Sequence, residues 1–159
     1  MNDSSTFSDL DRTDRKILRL LQRDGRLSNA ELAKQVNVSP ATCHRRTQRL
    51  FEDGYVRAVR AEVAPERVNR GALVMVGVVL DRSTPESFSA FEKAITKLPS
   101  ILDCHLVAGD FDYFLKIRVQ DIADFNRLHG EQLIALPGVR QTRTFFVMKE
   151  VIDNAPLEF

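Results

Sequence analysis

The 159-residue chain has no tryptophan, only two cysteines and three histidines, and no run of 18 apolar residues. The last absence excludes a transmembrane helix. The longest apolar run, Ala72–Leu80, spans nine residues and suits a buried strand. Cys43 and Cys104 are too few for a disulfide scaffold, which fits a reducing cytoplasm. The opening stretch MNDSSTFSDLD is polar and acidic and lacks the pattern of a secretory signal. No Gly-rich phosphate loop, Gly-x-Ser-x-Gly elbow or His-Glu-x-x-His pattern is present, so the chain does not read as an enzyme. His44, His105 and His129 fall in three different elements. The dipeptides Cys43-His44 and Cys104-His105 contain good metal ligands. Neighbours splay apart on a helix and face oppositely on a strand, so no metal site is expected. Net charge is only +1, which on its face gives little attraction for nucleic acid.

What is present is a normal globular composition, 43% hydrophobic and 28% charged, with no internal repeat. The length fits one ordinary domain or two small ones. Three helix patterns come first. Asp11 caps a helix whose first turn holds Asp14 and whose stripe is Leu10, Ile17, Leu18 and Leu21, with Gly25 as a stop. Ser28 and Glu31 form a capping box, Leu27 and Leu32 a hydrophobic staple, and Asn37 ends that second helix in the left-handed region. Ser39 and Pro40 open a third helix at once, with Cys43, Thr47 and Leu50 inward and Gly54 beyond its end. Two short helices joined by so tight a turn form a helix-turn-helix. Residues 55–63 then read as a strand, the wing of the motif, and 65–71 as a polar connection.

The remainder reads as strand 73–80, helix 85–97, strand 101–107, strand 113–119, helix 122–135 and strand 140–151. Ser83 and Glu86 offer a capping box for the first of these helices, and Asp121 caps the second. The fold class is therefore α+β, a winged helix-turn-helix followed by a βαββαβ ferredoxin-like sandwich. The domains are 1–62, a connection at 63–71, and 72–159. One face of a two-layer sheet should alternate with polar residues. Yet residues 73–80 are apolar throughout, and Phe145, Phe146, Val147 and Met148 follow one another. Either a second copy covers that face as a homodimer, or a loop folds over it.

The second helix of such a motif reads the major groove with its N-terminal half. The face opposite Cys43 and Leu50 carries Ala41, Arg45, Gln48 and Glu52, flanked by Thr42, His44 and Arg49. Arg suits guanine, Gln suits adenine, and Ala41 and Thr42 suit a thymine methyl. Ser28 and Ser39 stand at helix N-termini where phosphate can sit, and Arg46, Arg49, Arg57 and Arg60 are backbone candidates. From residue 39 to 60 there are five arginines against two acids, which favours double-stranded DNA over a protein partner for this module. Residues 1–62 hold 12 Lys and Arg against 9 Asp and Glu, and residues 63–159 hold 11 against 13. The small net charge thus conceals a basic half and an acidic half. In the other half, the segment 105–113 has Gly109 where a ligand can approach backbone amides, with Asp110 and Asp112 as acceptors for an α-ammonium group. The same residues also make an ordinary turn whose aspartates bond their own backbone.

The chain resembles the Lrp/AsnC (feast/famine) transcription regulators over essentially its whole length. The matching blocks are LDRTDRKIL at 10–18, DGRLSN at 24–29, VSP at 38–40 with Cys43, CHLVAGDFDY at 104–113, LPGV at 136–139, TRT at 142–144, and Val147-Met148. They look most like the leucine-responsive branch. The resemblance implies a cytoplasmic, non-membrane, amino-acid-responsive regulator that needs no cofactor. Its dimers associate into octamers or other higher oligomers, and a hydrophobic amino acid such as leucine is the expected effector. It implies effector binding at Ala108, Gly109, Asp110, Asp112 and Tyr113, with Phe145 standing where relatives carry Tyr. His44, Arg45 and Gln48 depart from the leucine-responsive pattern. Thr47 takes the place of an aliphatic residue and is expected to bond back into its own helix. The alternative reading is an amino-acid sensor that acts through protein contacts.

Overall fold

The computed structural model describes residues 10–159. All but the last two residues of the acidic opening stretch lie outside the described residues, as does the start of the first expected domain. The chain forms two compact units. One holds the described residues up to Glu62 together with Ile152–Phe159, and the other holds Val63–Val151.

In the first unit, α1 (Arg12–Arg23), α2 (Asn29–Val36) and α3 (Pro40–Glu52) begin at the expected caps. Asp11 accepts from the Asp14 amide at 2.8 Å, and Ser28 and Glu31 complete the capping box. Ser39 accepts from the Thr42 amide at 3.2 Å. Asn37 is left-handed (φ 57°) and turns the chain from α2 into α3. The core is Leu10, Ile17, Leu18, Leu32, Ala33, Val36, Cys43 and Leu50. Burial of each large side chain there contributes about 1.5–3 kcal/mol.

Four expectations change in this unit. Gly25 is not a left-handed stop; a Cβ there would lie 2.7 Å from Val59 Cγ1, so the position is small because residues 55–62 pass close by. Those residues form no strand, and no described strand supplies ladder partners for them. Thr47 makes no bond back into α3; its hydroxyl oxygen is buried without a partner. The last eight residues, assigned by sequence to the second domain, pack in the first unit. Gln22 exchanges two hydrogen bonds with Leu157 (3.2 and 2.9 Å), Arg19 donates to the Phe159 carbonyl, and its guanidinium sits over the Phe159 ring at 5.6 Å. Apolar and hydrogen-bonding partners on α1 hold these residues there, a pairing across the chain that local pattern does not encode.

In the second unit a 3-10 turn (Pro65–Val68) leads to β1 (Ala72–Leu80), α4 (Pro85–Ile95), β2 (Ile101–Leu106), β3 (Tyr113–Val119), α5 (Ile122–Leu128) and β4 (Val139–Phe146). The sheet is antiparallel in the order β2-β3-β1-β4, the ferredoxin-like arrangement. Val74, Val76, Val78, Leu115 and Ile117 face α4 and α5, where Phe91, Ile95, Phe125 and Leu128 complete the core. Thr84, not Ser83, caps α4, because Pro85 takes the first helical position and the Thr84 hydroxyl reaches the Ser87 amide. After Leu128 the expected long helix widens into a π turn (His129–Leu133), which seats both Leu133 and Leu136 in the core. β4 stops at Phe146, opposite Val74, with one further bond from the Val147 amide to the Leu73 carbonyl, short of the expected end at 151.

The opposite sheet face presents Met75, Phe114, Phe145 and Arg143 by register. Phe111 lies over it, packing against Phe114 (5.8 Å) and Phe145 (6.4 Å). The connection between β2 and β3 therefore covers part of this face, while Phe145 stays nearly half exposed.

Candidate nucleic-acid interface and ligand loop

α3 presents His44, Arg45 and Gln48 outward, with Ala41 at its start and Thr42 half-buried beside it. Arg45 is in no ion pair among the described residues, so its guanidinium is free for an external acceptor. The Gln48 amide donates to Glu52 at 2.8 Å, one turn along, which leaves its oxygen and a second N–H for a base edge. Arg57 and Arg60 are exposed on the segment that follows.

The two N-cap serines are more occupied. The Ser28 hydroxyl donates to Glu31 at 2.7 Å and accepts from the Glu31 amide at 3.2 Å. The hydroxyl's donation, then that of the Ser28 amide at 2.8 Å, hold the Glu31 carboxyl below its usual range, and its negative charge sits where a phosphate would come. The Ser39 hydroxyl donates to Thr42 Oγ1 at 2.9 Å. Asn29 donates to the Pro40 carbonyl at 2.9 Å and ties the start of α2 to the start of α3.

Arg46 and Arg49 turn inward. Arg46 Nη1 lies 2.6 Å from Asp11 Oδ2 and 2.9 Å from Asp14 Oδ1, and Arg49 Nη2 lies 2.5 Å from Asp14 Oδ2. Asp14 is 1% exposed. The bonds from Asp11 and Asp14 raise the Arg46 guanidinium above its ordinary value. The bond from the Asp14 amide, with help from Arg46, holds the Asp11 carboxyl below the usual aspartate range against the opposing effect of burial. Sequence reading placed Asp14 in the first turn of α1 and missed this role. The only signal was its spacing of three from Asp11, matched by the spacing of three between Arg46 and Arg49.

The residues expected to bind an effector divide into two sets. Ala108, Gly109 and Asp110 form the exposed tip of the β2–β3 connection, with Gly109 at φ 152°. Asp112 and Tyr113 turn into the unit. Asp112 Oδ2 accepts from the Leu80 amide at 2.7 Å and Oδ1 accepts from the Ser83 hydroxyl at 3.3 Å. Its own amide donates to the Val78 carbonyl at 2.9 Å, so Asp112 fastens the loop to the end of β1. Tyr113 is 1% exposed and packs on Phe91 at 4.5 Å, and its hydroxyl donates to Glu92 at 2.7 Å. Burial, then the Glu92 bond, push the Tyr113 phenol well above its ordinary value. The Asp110 carboxylate points to solvent. Phe145 belongs to the ring cluster with Phe111 and Phe114, stacked on the latter at 6.2 Å.

Gly77 explains how the loop sits. A Cβ there would lie 2.6 Å from the Phe111 ring, so the ring rests directly on the β1 backbone. Sequence reading noticed Gly109 and passed over Gly77, because nothing local marks a glycine inside an apolar strand as the seat of a distant ring. Both Cys-His dipeptides separate as expected. Cys43 is buried in the helical core while His44 is exposed, and Cys104 faces the helices while His105 faces the other side.

Two family models match. Residues 10–57 match a winged helix-turn-helix DNA-binding domain, and residues 73–157 match an Lrp/AsnC ligand binding domain. The leucine-responsive regulatory proteins of Escherichia coli K12 and Klebsiella pneumoniae are each 48% identical over 143 residues, covering 90% of this chain and 87% of theirs. A transcriptional regulator from Neisseria meningitidis, solved in complex with L-methionine, superposes with a TM-score of 0.89 at 35% identity, covering 94% of this chain and 96% of that one. An AsnC family regulator from Agrobacterium tumefaciens superposes with a TM-score of 0.88 at 34% identity, covering 94% and 97%.

Proposed function

The chain belongs to the Lrp/AsnC family, a DNA-binding transcriptional regulator modulated by an amino-acid ligand, and on that premise we propose which of its residues carry each task. Arg45 and Gln48 read base edges, with His44, Thr42 and Ala41 beside them, and Arg57 and Arg60 neutralise phosphates. The observation that supports this is the outward face of α3, where Arg45 has no partner among the described residues while Arg46 and Arg49 do. Ser28 and Ser39 serve as helix caps, and Ser39 with its Pro40 amide-free start presents α3 end-on to the groove.

The effector is a free hydrophobic amino acid. Its carboxylate is held by the exposed backbone amides at 108–110 and its ammonium by Asp110, whereas Asp112 and Tyr113 keep the loop in place. L-methionine in the Neisseria relative and the leucine response named in the enteric relatives support this ligand class. The chain acts as a homodimer that assembles further, covering the half-exposed Phe145 side of the sheet. Effector binding shifts the balance between assemblies and so changes how many helix-turn-helix units engage DNA together. It works in the cytoplasm as a regulator, without enzymatic turnover or a resident cofactor.

Two measurements test this reading. Selection from a randomised duplex library should enrich one sequence motif with the wild-type chain. Thermal-shift screening of the twenty amino acids should raise the midpoint with one or a few hydrophobic ones, since a ligand held only by the folded state stabilises it. No enriched motif removes the DNA assignment, leaving a sensor that works through protein contacts. No shift with any amino acid removes the effector assignment.

A further inference from the structure

We infer that Asp14 is a positioning residue for DNA reading, one that fixes the roll of α3 by taking Arg46 and Arg49 out of phosphate contact. The inference rests on the DNA-binding reading of α3 and assigns a task to a residue that touches no nucleic acid.

The geometry is specific. Arg46 and Arg49 are three residues apart and so lie on one side of α3, and Arg45 and Gln48 lie three apart on the adjoining side. Rotation about the helix axis moves both pairs together. Both carboxylate oxygens of Asp14 are used, one by each arginine, and Asp11 takes a second bond from Arg46. The apolar contacts of Cys43 and Leu50 hold α3 against the core, yet packing of this kind tolerates small rotations that directed bonds do not. Asp14 is almost fully buried, so each arginine that leaves it strands a charge away from water. The Nε atoms of Arg46 and Arg49 are buried without partners, while the Arg49 side chain keeps 43% exposure against 23% for Arg46.

Two opposite effects on DNA follow from Asp14→Asn. The roll of α3 loosens, so discrimination falls. Two guanidinium groups are released toward the phosphates, so unspecific attraction rises. A residue that only supported stability would instead lower the active fraction, leaving discrimination and salt dependence as they were.

The test is the affinity of the full chain, by fluorescence anisotropy, for a duplex selected with the wild type and for poly(dI-dC), across a salt series. For Asp14→Asn we expect the ratio of specific to unspecific affinity to fall by about tenfold or more. We expect the slope of log affinity against log salt to steepen by about 1–2 per engaged helix-turn-helix unit. Arg46→Gln and Arg49→Gln, made one at a time, keep the carboxylate and leave it the other arginine as partner. Each should leave the slope as in the wild type, while Arg57→Gln should lower it by about 0.9. A drop of about 0.9 for Arg46→Gln or Arg49→Gln would make them phosphate contacts and overturn the inference. So would wild-type ratio and slope in a folded Asp14→Asn chain. A wild-type chain with no affinity for any duplex overturns the DNA reading itself, and shows this before any variant is made.

Discussion

Substituting Gly77 by Ala should dislodge the ligand loop without touching any of its residues. An added Cβ would stand 2.6–2.7 Å from three carbons of the Phe111 ring, well inside contact distance. Phe111 is a rigid ring held by Phe114 and Phe145, so it must lift off β1 and carry the 107–112 connection with it. Overpacking of this kind costs about 1–3 kcal/mol. For a unit the size of Val63–Val151 that lowers the melting midpoint by about 4–8 °C per kcal/mol. The decisive form is a double-mutant cycle with Phe111→Ala, read by denaturant melts of the second unit. Removing the ring abolishes the clash, so Gly77→Ala should cost much less in that background, with a coupling of about 1–2 kcal/mol. Additive effects of the two substitutions would refute the idea that Gly77 is small because Phe111 rests on it. Under the effector reading, Gly77→Ala should also weaken the amino-acid-dependent thermal shift, and Phe111→Ala should do the same.

Three further expectations concern other parts of the chain. The Asp11 carboxyl is held below its ordinary value of 3.8, so its cap contributes stability above that value and loses it as pH falls through the lower folded one; acid melts of Asp11→Ala should lack this component, and an unchanged acid limb would contradict the cap. Burial, then the charge of Glu92, push the Cys104 thiol up to about 11 from 9.0; alkylation at pH 8 should be about a hundredfold slower in the folded chain than in denaturant, and equal rates would show that the thiol is not shielded. Phe159→Ala removes a ring under the Arg19 guanidinium and should cost the first unit about 0.5–1 kcal/mol, read as a lower midpoint for α1–α3; no change would mean that residues 152–159 do not brace α1.

Most of the fold was legible because its signals are local. Caps at Asp11, Ser28, Ser39 and Asp121 and the left-handed Asn37 all carry out the chemistry their residue types announce. The apolar run 73–80 marked a strand, but its composition did not tell which face meets the helices; Val74, Val76 and Val78 do. What could not be read locally was pairing across the chain. Residues 55–63 have strand composition, but no described strand pairs with them, and composition alone cannot supply one. Arg46 and Arg49, expected at the DNA backbone, pair with Asp14 in the chain, which the basic helix alone does not announce. Asp112 and Tyr113, expected at the ligand, also bond the Leu80 amide and Glu92 within the chain, which their residue types do not announce. In each case a polar side chain offers the same chemistry to a ligand or to its own chain, and only the tertiary arrangement decides which one is within reach.

The central claim is that the outward face of α3 reads sequence. It is tested most directly by the ratio of affinities for a selected duplex and for poly(dI-dC), measured on wild type and on the Arg45→Ala, Gln48→Ala double variant at equal salt and equal oligomeric state. With each good base contact worth about 1–3 kcal/mol, the variant should lose most of its preference for the selected duplex while keeping its fold and its unspecific affinity. A double variant that keeps the wild-type ratio would contradict the claim and move sequence reading to another part of the chain.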